Sequence, residues 1–337
     1  METGTARGPG GRGATARGRA IGFSPRGVGS ATRRAGRPRP SERWRTGPAR
    51  RIEAEDNAAR VNVFRQGSHV IGHRGSPRKA LENTLASFDL AEADGADGVE
   101  LDVRLTLDGE AVVLHDPELV RGDRRLPVGS LTVLDVKSAP ARKGELEGEV
   151  PTLREVFLRY GGAARYLVEL KTGPAARPNL LEHRVAGLLS AFGLLEKVAV
   201  LSFSPEMLRR VKEIRPEVET ALVYDGTAYR PEGQLWPVLP PGCTMIAPHH
   251  ALVGERLFEE AGAAGLSVHV WTVNEPELAG RLARLGARSV ISDVPDLVGP
   301  AVRAVTGRTG GFGLRLAQPD EPDAPATPEV PAGDPSA

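Results

Sequence analysis

The chain has 337 residues, 40% of them apolar, which is enough for one large domain or two ordinary ones with a sizeable core. Its single cysteine, Cys243, excludes an intrachain disulfide and argues against a thiolate zinc site, and no apolar run approaches the ~18 residues of a membrane span. The net charge of +1 hides a split, because residues 1–60 carry fourteen arginines against five acids, roughly +9, and leave about −8 for the rest.

Residues 1–60 are rich in Gly, Arg, Pro, Ala and Thr and lack apolar periodicity. Such a segment buries too little surface to offset the entropy of ordering, so it is predicted to be disordered. Its arginines suit a targeting peptide, a tether to nucleic acid or anionic lipid, or a dispensable extension. Without a continuous apolar stretch it does not suit a secretory signal.

From 61 to 307 short β-type runs alternate with helical segments. The first strand is expected at 69–73. A helix follows, with Asn83 as N-cap and Leu85, Phe88, Leu90 and Ala91 on its apolar side. A strand at 98–105 and an arm at 111–115 flank Asp108-Gly109, a strong hairpin signal. Folding about that turn brings Asp102 roughly opposite His115. Further strands are expected at 166–171, 198–203, 220–224, 244–247, 267–273 and 289–292. Helices are expected at 180–194, 205–214, 253–264, 275–285 and 295–305. The Pro-, Asp- and Ala-rich stretch 308–337 is predicted to be a second disordered tail.

Leaving out the hairpin arm, eight strands alternate with helices, which suits a (β/α)8 TIM barrel with a β-hairpin extension after strand two. The rival is an open doubly wound sheet. It would call for a Gly-rich phosphate loop after strand one, and His73-Arg74-Gly75 is not one. In a barrel the chemistry sits at the C-terminal ends of the strands. His73, Glu100, Asp102, His115, Glu169, Lys171, Phe203, Trp271 and Asn274 all fall there. Imidazoles move protons near neutral pH, carboxylates are hard ligands for a divalent cation, and the Arg74 fork grips phosphate.

Most of these residues also have a plainer reading. Glu100 and Asp102 would serve as a solvated ion pair with Arg104, Glu169 and Lys171 as a rim pair, and Trp271 as a core aromatic. Asn274 suits a helix N-cap as well as a ligand, and Glu82 suits orienting Arg74 better than binding metal. His249 and His250 are adjacent, so on a strand they point opposite ways and are expected to be non-catalytic. His69, His183 and His269 are expected to be background, and Cys243 shows no activating partner.

The ordered motifs resemble the glycerophosphodiester phosphodiesterase family. They are His73-Arg74-Gly75, Glu82-Asn83-Thr84, the run 95–103, Leu105-Thr106-Leu107-Asp108-Gly109, Val112-Val113-Leu114-His115-Asp116, Val150-Pro151-Thr152-Leu153, Glu169-Leu170-Lys171, Ser202-Phe203 and Trp271-Thr272-Val273-Asn274. The resemblance covers about residues 69–300. It implies a barrel hydrolase using Mg²⁺ or Ca²⁺, with metal ligands on Glu100, Asp102 and Glu169 and acid–base histidines on His73 and His115. Arg74 and Lys171 fall where phosphate contacts are expected, and Trp271 suits a substrate wall as well as the core. The stretch 117–122 departs from the more usual Thr-rich one and leaves the alcohol leaving group open.

The implied reaction cleaves a glycerophosphodiester to glycerol 3-phosphate and an alcohol. One histidine activates the nucleophile, either water or the glycerol 2-hydroxyl, and the other protonates the departing alkoxide. His73 is favoured as base and His115 as acid. Lysophospholipase D-type activity is the near alternative, and a non-catalytic barrel acting as a binding protein is the distant one. A small-molecule partner, no nucleic acid on the core, no transmembrane segment and a cytoplasmic location are expected.

Overall fold

The computed structural model describes residues 62, 64, 67–173 and 180–312, all within one compact unit. The tail expected at 1–60 lies outside the described residues, as does 313–337 of the second tail.

In chain order the elements are β1 (His69–His73), α1 (Leu85–Ala93), β2 (Gly98–Leu105), β3 (Ala111–Val113), β4 (Glu118–Arg121), β5 (Arg124–Pro127), α2 (Val133–Lys137), β6 (Ala141–Lys143), β7 (Leu146–Gly148) and α3 (Leu153–Tyr160). There follow β8 (Arg165–Leu170), α4 (Leu180–Ala191), β9 (Val198–Ser202), α5 (Pro205–Ile214), β10 (Glu219–Tyr224), β11 (Met245–Pro248), α6 (Glu255–Ala263), β12 (Ser267–Val270), α7 (Pro276–Leu285), β13 (Ser289–Ser292) and α8 (Pro295–Thr306).

Eight parallel strands, β1, β2 and β8 to β13, pair in chain order, and β1 closes the ring by pairing with both β2 and β13. This is the expected TIM barrel. Helices follow the strands except after β10, where 225–244 run irregularly and cover the barrel with Leu235, Trp236 and Leu239. No described helix is long and apolar enough to cross a membrane.

The period of two along each strand fills the interior. Ile71, Leu167, Leu201, Val223 and Ile291 meet there, each contributing about 1.5–3 kcal/mol by leaving water. At the lower mouth Phe64 packs edge-on to His69 and His269, with ring centroids 5.9 and 5.8 Å away. Asn62 ties the segment down through the carbonyls of Leu195 and Val198. One step of the same alternation above the middle layer lies the rim that carries the chemistry.

The hairpin forms as expected. β3 runs antiparallel to β2, and Leu114 N–H donates to the Asp102 carbonyl, so His115 lies one residue beyond it. The insertion that follows holds two small hairpins, β4–β5 and β6–β7, around a satellite core of Val112, Leu119, Val128, Val136 and Val150.

Two expectations are corrected here. Thr84, not Asn83, caps α1, its hydroxyl accepting from Ser87 N–H at 3.2 Å. The folded part also runs past residue 307, because Phe312 is buried edge-on to Tyr160.

Candidate active site

The loop after β1 sets the first half of the site. Gly75 lies at φ +94, and a Cβ there would sit 2.4 Å from Ser87 Oγ on α1, so only glycine lets the turn pack so closely. The turn places Arg74 N–H 3.1 Å from Glu100 Oε2. Register supplies the rest, since His73 is the strand partner of Glu100, and Asp102 the partner of Glu169. Side chains two apart share a face, so Glu100 and Asp102 point inward together.

Glu100, Asp102 and Glu169 are all buried, and one oxygen from each lies within 4.8 Å of the others. Two cations are pinned against them. Arg74 Nε stands 3.1 Å from Asp102 Oδ2, and Lys171 Nζ stands 2.9 Å from Asp102 Oδ1 and 2.5 Å from Glu169 Oε1. Glu82 holds Arg74 Nη1 at 3.0 Å and is itself held by Lys143 of β6 at 2.6 Å. Glu82 thus orients Arg74, as expected.

Burial, reinforced by the Asp102 and Glu169 carboxylates, pushes Glu100 well above the usual carboxylate range. Burial also acts on Asp102, but Lys171 and Arg74 outweigh it and hold that carboxyl down at about 2. Glu169 is raised by burial and by Asp102. Lys171 is raised because Asp102 and Glu169 outweigh its burial.

Both histidines line one cavity of about 150 Å³ with Arg74, Glu100, Glu169, Lys171, Phe203 and Trp271. His73 Nε2 lies 3.9 Å from Glu100 Oε2, and its Nδ1 lies 2.7 Å from Asp293 Oδ1. His115 Nδ1 lies 2.8 Å from Asp116 Oδ1, and burial lowers the His115 imidazole from its ordinary range. Trp271 Nε1–H donates to the Ala247 carbonyl, and its ring stands edge-on to Phe203 at 5.7 Å, forming an aromatic wall. All eight predicted site residues are therefore grouped at one rim.

Other expectations change. Arg104 does not pair with Glu100 or Asp102; its guanidinium donates to the carbonyls of His115 and Thr172. Asn274 is not an N-cap, a position Glu275 takes. Its Nδ2–H donates to Asp293 Oδ2 and its Oδ1 accepts from Asp293 N–H. The His249 and His250 rings do not point apart but lie 4.2 Å from one another, because the chain leaves β11 at Pro248 and turns. They lie outside the cavity lining.

Asn83 sits in a motif but reads there only as a cap, and Asp293 lies outside the motifs; both belong to the site. Asn83 grips Asp102 twice, donating from Nδ2 to Oδ2 at 2.8 Å and accepting from the backbone N–H at 3.2 Å. Asp293 follows Ser289 and Ile291 at intervals of two, and that alternation is the sequence signal for its inward position.

A family model described as the glycerophosphoryl diester phosphodiesterase family matches residues 73–297. A glycerophosphodiester phosphodiesterase of Caldanaerobacter subterraneus is 32% identical over 241 residues, covering 69% of this chain and 97% of that protein. One from Bacillus subtilis is 28% identical, covering 68% of this chain and 84% of that one. Among solved structures, an Oleispira antarctica phosphodiesterase in complex with the product sn-glycerol-3-phosphate is 26% identical, with a TM-score of 0.59 over 69% of this chain and 96% of that chain. A match that starts at the first rim histidine and runs just past Asp293 makes this chain a member of the glycerophosphoryl diester phosphodiesterase family.

Proposed function

We propose that this chain hydrolyses glycerophosphodiesters to glycerol 3-phosphate and an alcohol, with a divalent cation on Glu100, Asp102 and Glu169 and with His73 and His115 moving the protons. One observation carries the reading: Glu100, Glu169, two imidazoles and two pinned cations line a single cavity, with Asp102 buried against the same carboxylates. The product bound to the Oleispira antarctica relative supports the glycerol phosphate half of it.

The residues fit a hard cation. Three carboxylates crowd into a buried spot, and Glu100 Oε1 is buried without a hydrogen-bond partner. An all-oxygen set suits Mg²⁺ or Ca²⁺. A cation held by Glu100, Asp102 and Glu169 would supply Lewis-acid stabilisation of the charge that develops on the phosphate. Arg74 and Lys171 add fixed positive charge at the same rim. His73 takes the proton of the nucleophile at Nε2, and His115 gives one to the leaving oxygen, since a free alkoxide is too basic to depart well. Phe203 and Trp271, edge-on to one another, wall the same cavity.

The cavity, at about 150 Å³, suits a headgroup-sized diester better than the long chain of a lysophospholipid. A non-catalytic barrel would lack one of the five acid, base or ligand side chains, and all are present. A reducing cytoplasm suits the single buried thiol of Cys243. We further assign 1–60 and the end of the chain as extensions to this catalytic domain.

The test is a set of glycerophosphodiesters differing in their alcohol, assayed for glycerol phosphate release. Turnover that chelation abolishes and Mg²⁺ or Ca²⁺ restores is expected. Turnover of none, or turnover indifferent to chelator, overturns the reading.

A further inference from the structure

We propose that Asp293, itself held by Asn274, is a positioning residue for His73: it fixes the imidazole as the Nδ1–H tautomer and turns Nε2 into the cavity. The inference deepens the proposed function and rests on it only for the role of His73 as proton acceptor.

The geometry is built from strand register. β1 and β13 pair with Gly72 opposite Ser292, so the next residues, His73 and Asp293, emerge side by side at the rim. The Nδ1–Oδ1 distance of 2.7 Å is that of a strong, charge-assisted hydrogen bond. An ionised carboxylate only accepts, so the ring nitrogen facing it must carry the proton. The remaining nitrogen, Nε2, then presents a lone pair to the cavity. Its neighbour there, Glu100 Oε2 at 3.9 Å, is beyond hydrogen-bond reach.

Asp293 is held as firmly as it holds. Its Oδ2 accepts from Asn274 Nδ2–H at 2.9 Å, and its backbone N–H donates to Asn274 Oδ1 at 2.9 Å. Ser292 Oγ–H donates to the same Asn274 oxygen, and Val294 N–H donates back to Ser292 Oγ. Burial pushes the Asp293 carboxyl up, but the contacts with His73 and Asn274 outweigh this and keep it below its ordinary range.

His115 makes a useful contrast. Its Nδ1 also meets a carboxylate, but Asp116 is the next residue along and its side chain is 70% exposed. Water can replace that contact. The two imidazoles therefore differ in anchorage. His73 has a braced carboxylate behind it, as a proton acceptor of fixed tautomer requires, and His115 remains free to turn with the leaving group.

The experiment is a double-mutant cycle in the full chain with Mg²⁺ or Ca²⁺, comparing wild type, Asp293→Asn, His73→Ala and the double variant. Asparagine keeps the volume of Asp293 but can offer Nδ2–H to the ring and favour the wrong tautomer. Asp293→Asn is expected to lower kcat by ~10²-fold or more, as loss of a tautomer-setting aspartate does elsewhere. Melting temperature and calorimetric metal affinity should stay at wild-type values. In the His73→Ala background the same change should cost nothing further. Spectra of ¹⁵N-labelled histidine should show Nδ1–H for His73 in the wild type and lose it in Asp293→Asn.

If Asp293→Asn fails to fold, Asn274→Ser supplies a gentler loosening with the same expected non-additivity. Equal losses in both backgrounds, or an Nε2–H tautomer in the wild type, overturn the proposal. If no diester is turned over, the tautomer measurement still decides the Asp293 assignment while the proposed reaction falls. If diesters are turned over and the cycle is additive, the proposed reaction stands and the positioning role falls.

Discussion

Asn83 lies at φ +60 and Arg74 at φ +55, the positive-φ non-glycine residues among those described, and both touch Asp102. Left-handed backbone costs an L-residue roughly 1–2 kcal/mol and persists where the surroundings over-determine it. Here the Asn83 N–H donates to the Arg74 carbonyl, so the two conformations lock each other. Asn83 then aims both atoms of its amide at Asp102. Removing a group that orients a metal ligand usually lowers metal affinity by ~10–100-fold. Asn83→Gly keeps the backbone conformation and deletes only the amide, so it should show that loss in a calorimetric titration with Mg²⁺ or Ca²⁺. Asn83→Ala should add a fall in melting temperature from the strained φ. Unchanged metal affinity in Asn83→Gly would show that Asp102 needs no such support. Asparagine favours both N-caps and left-handed turns, so its sequence position alone does not separate the two roles. The buried acidic trio of Glu100, Asp102 and Glu169 was legible for the opposite reason: acids inside apolar strands have few structural uses.

At the scale of elements, the barrel strands were legible because each is a short apolar run bounded by turn residues, and most predicted ends fall within a few residues of the observed ones. The insertion was not. Its strands are three or four residues long, and the five side chains of its core are spread from Val112 to Val150, so no window shows a period. What ties it to the barrel is close packing of β7 on the N-terminus of α1. A Cβ on Gly148 would sit 2.8 Å from Thr84 Cγ2. Thr84 has little room to yield, because its hydroxyl donates to the Leu81 carbonyl and accepts from Ser87 N–H. Overpacking of this kind costs typically 1–3 kcal/mol. Gly148→Ala should therefore lower stability by about that amount in chemical denaturation. The test is specific to contact, since the Gly148 backbone is not in the left-handed region that only glycine favours. Wild-type stability in Gly148→Ala would mean that β7 shifts without cost and does not clamp α1. The hairpin β6–β7 also carries Lys143 to Glu82, so its displacement should weaken the grip on Arg74 and raise KM for the diester.

The whole barrel divides its interior by height, and the division predicts how the molecule responds to acid. The upper rim gathers charge, the middle layer is aliphatic, and the lower mouth is sealed by Phe64 between two histidine rings. The strands' alternation places all three layers, but the seal comes from a segment outside any strand, and nothing periodic announces it. Phe64→Ala should cost about 3–5 kcal/mol, whereas deletion of 1–60 should leave both stability and turnover intact. His269 belongs to that seal. It is fully buried, its Nδ1 lies 2.9 Å from Ser289 Oγ, and burial, then the neighbouring His69, drives its imidazole down to about 3. The unfolded chain takes up that proton near the ordinary value of about 6.5, while the folded chain refuses it until about 3. Between those values the unfolded state binds more protons, so stability falls as pH falls, by up to roughly 1.4 kcal/mol per pH unit. The full contribution is present above about pH 6.5 and is lost on the way to 3. Carboxylates also titrate in this window, so a single acid-denaturation curve does not isolate His269. The difference between wild type and His269→Gln does, because distant groups contribute equally to both. Urea unfolding at pH 7.5, 5.5 and 4.5 should show the wild-type advantage shrinking between the two lower values by about 1.4 kcal/mol. An advantage that stays constant from 7.5 to 4.5 would mean that His269 is protonated in the folded barrel, and that the lower mouth admits a charge.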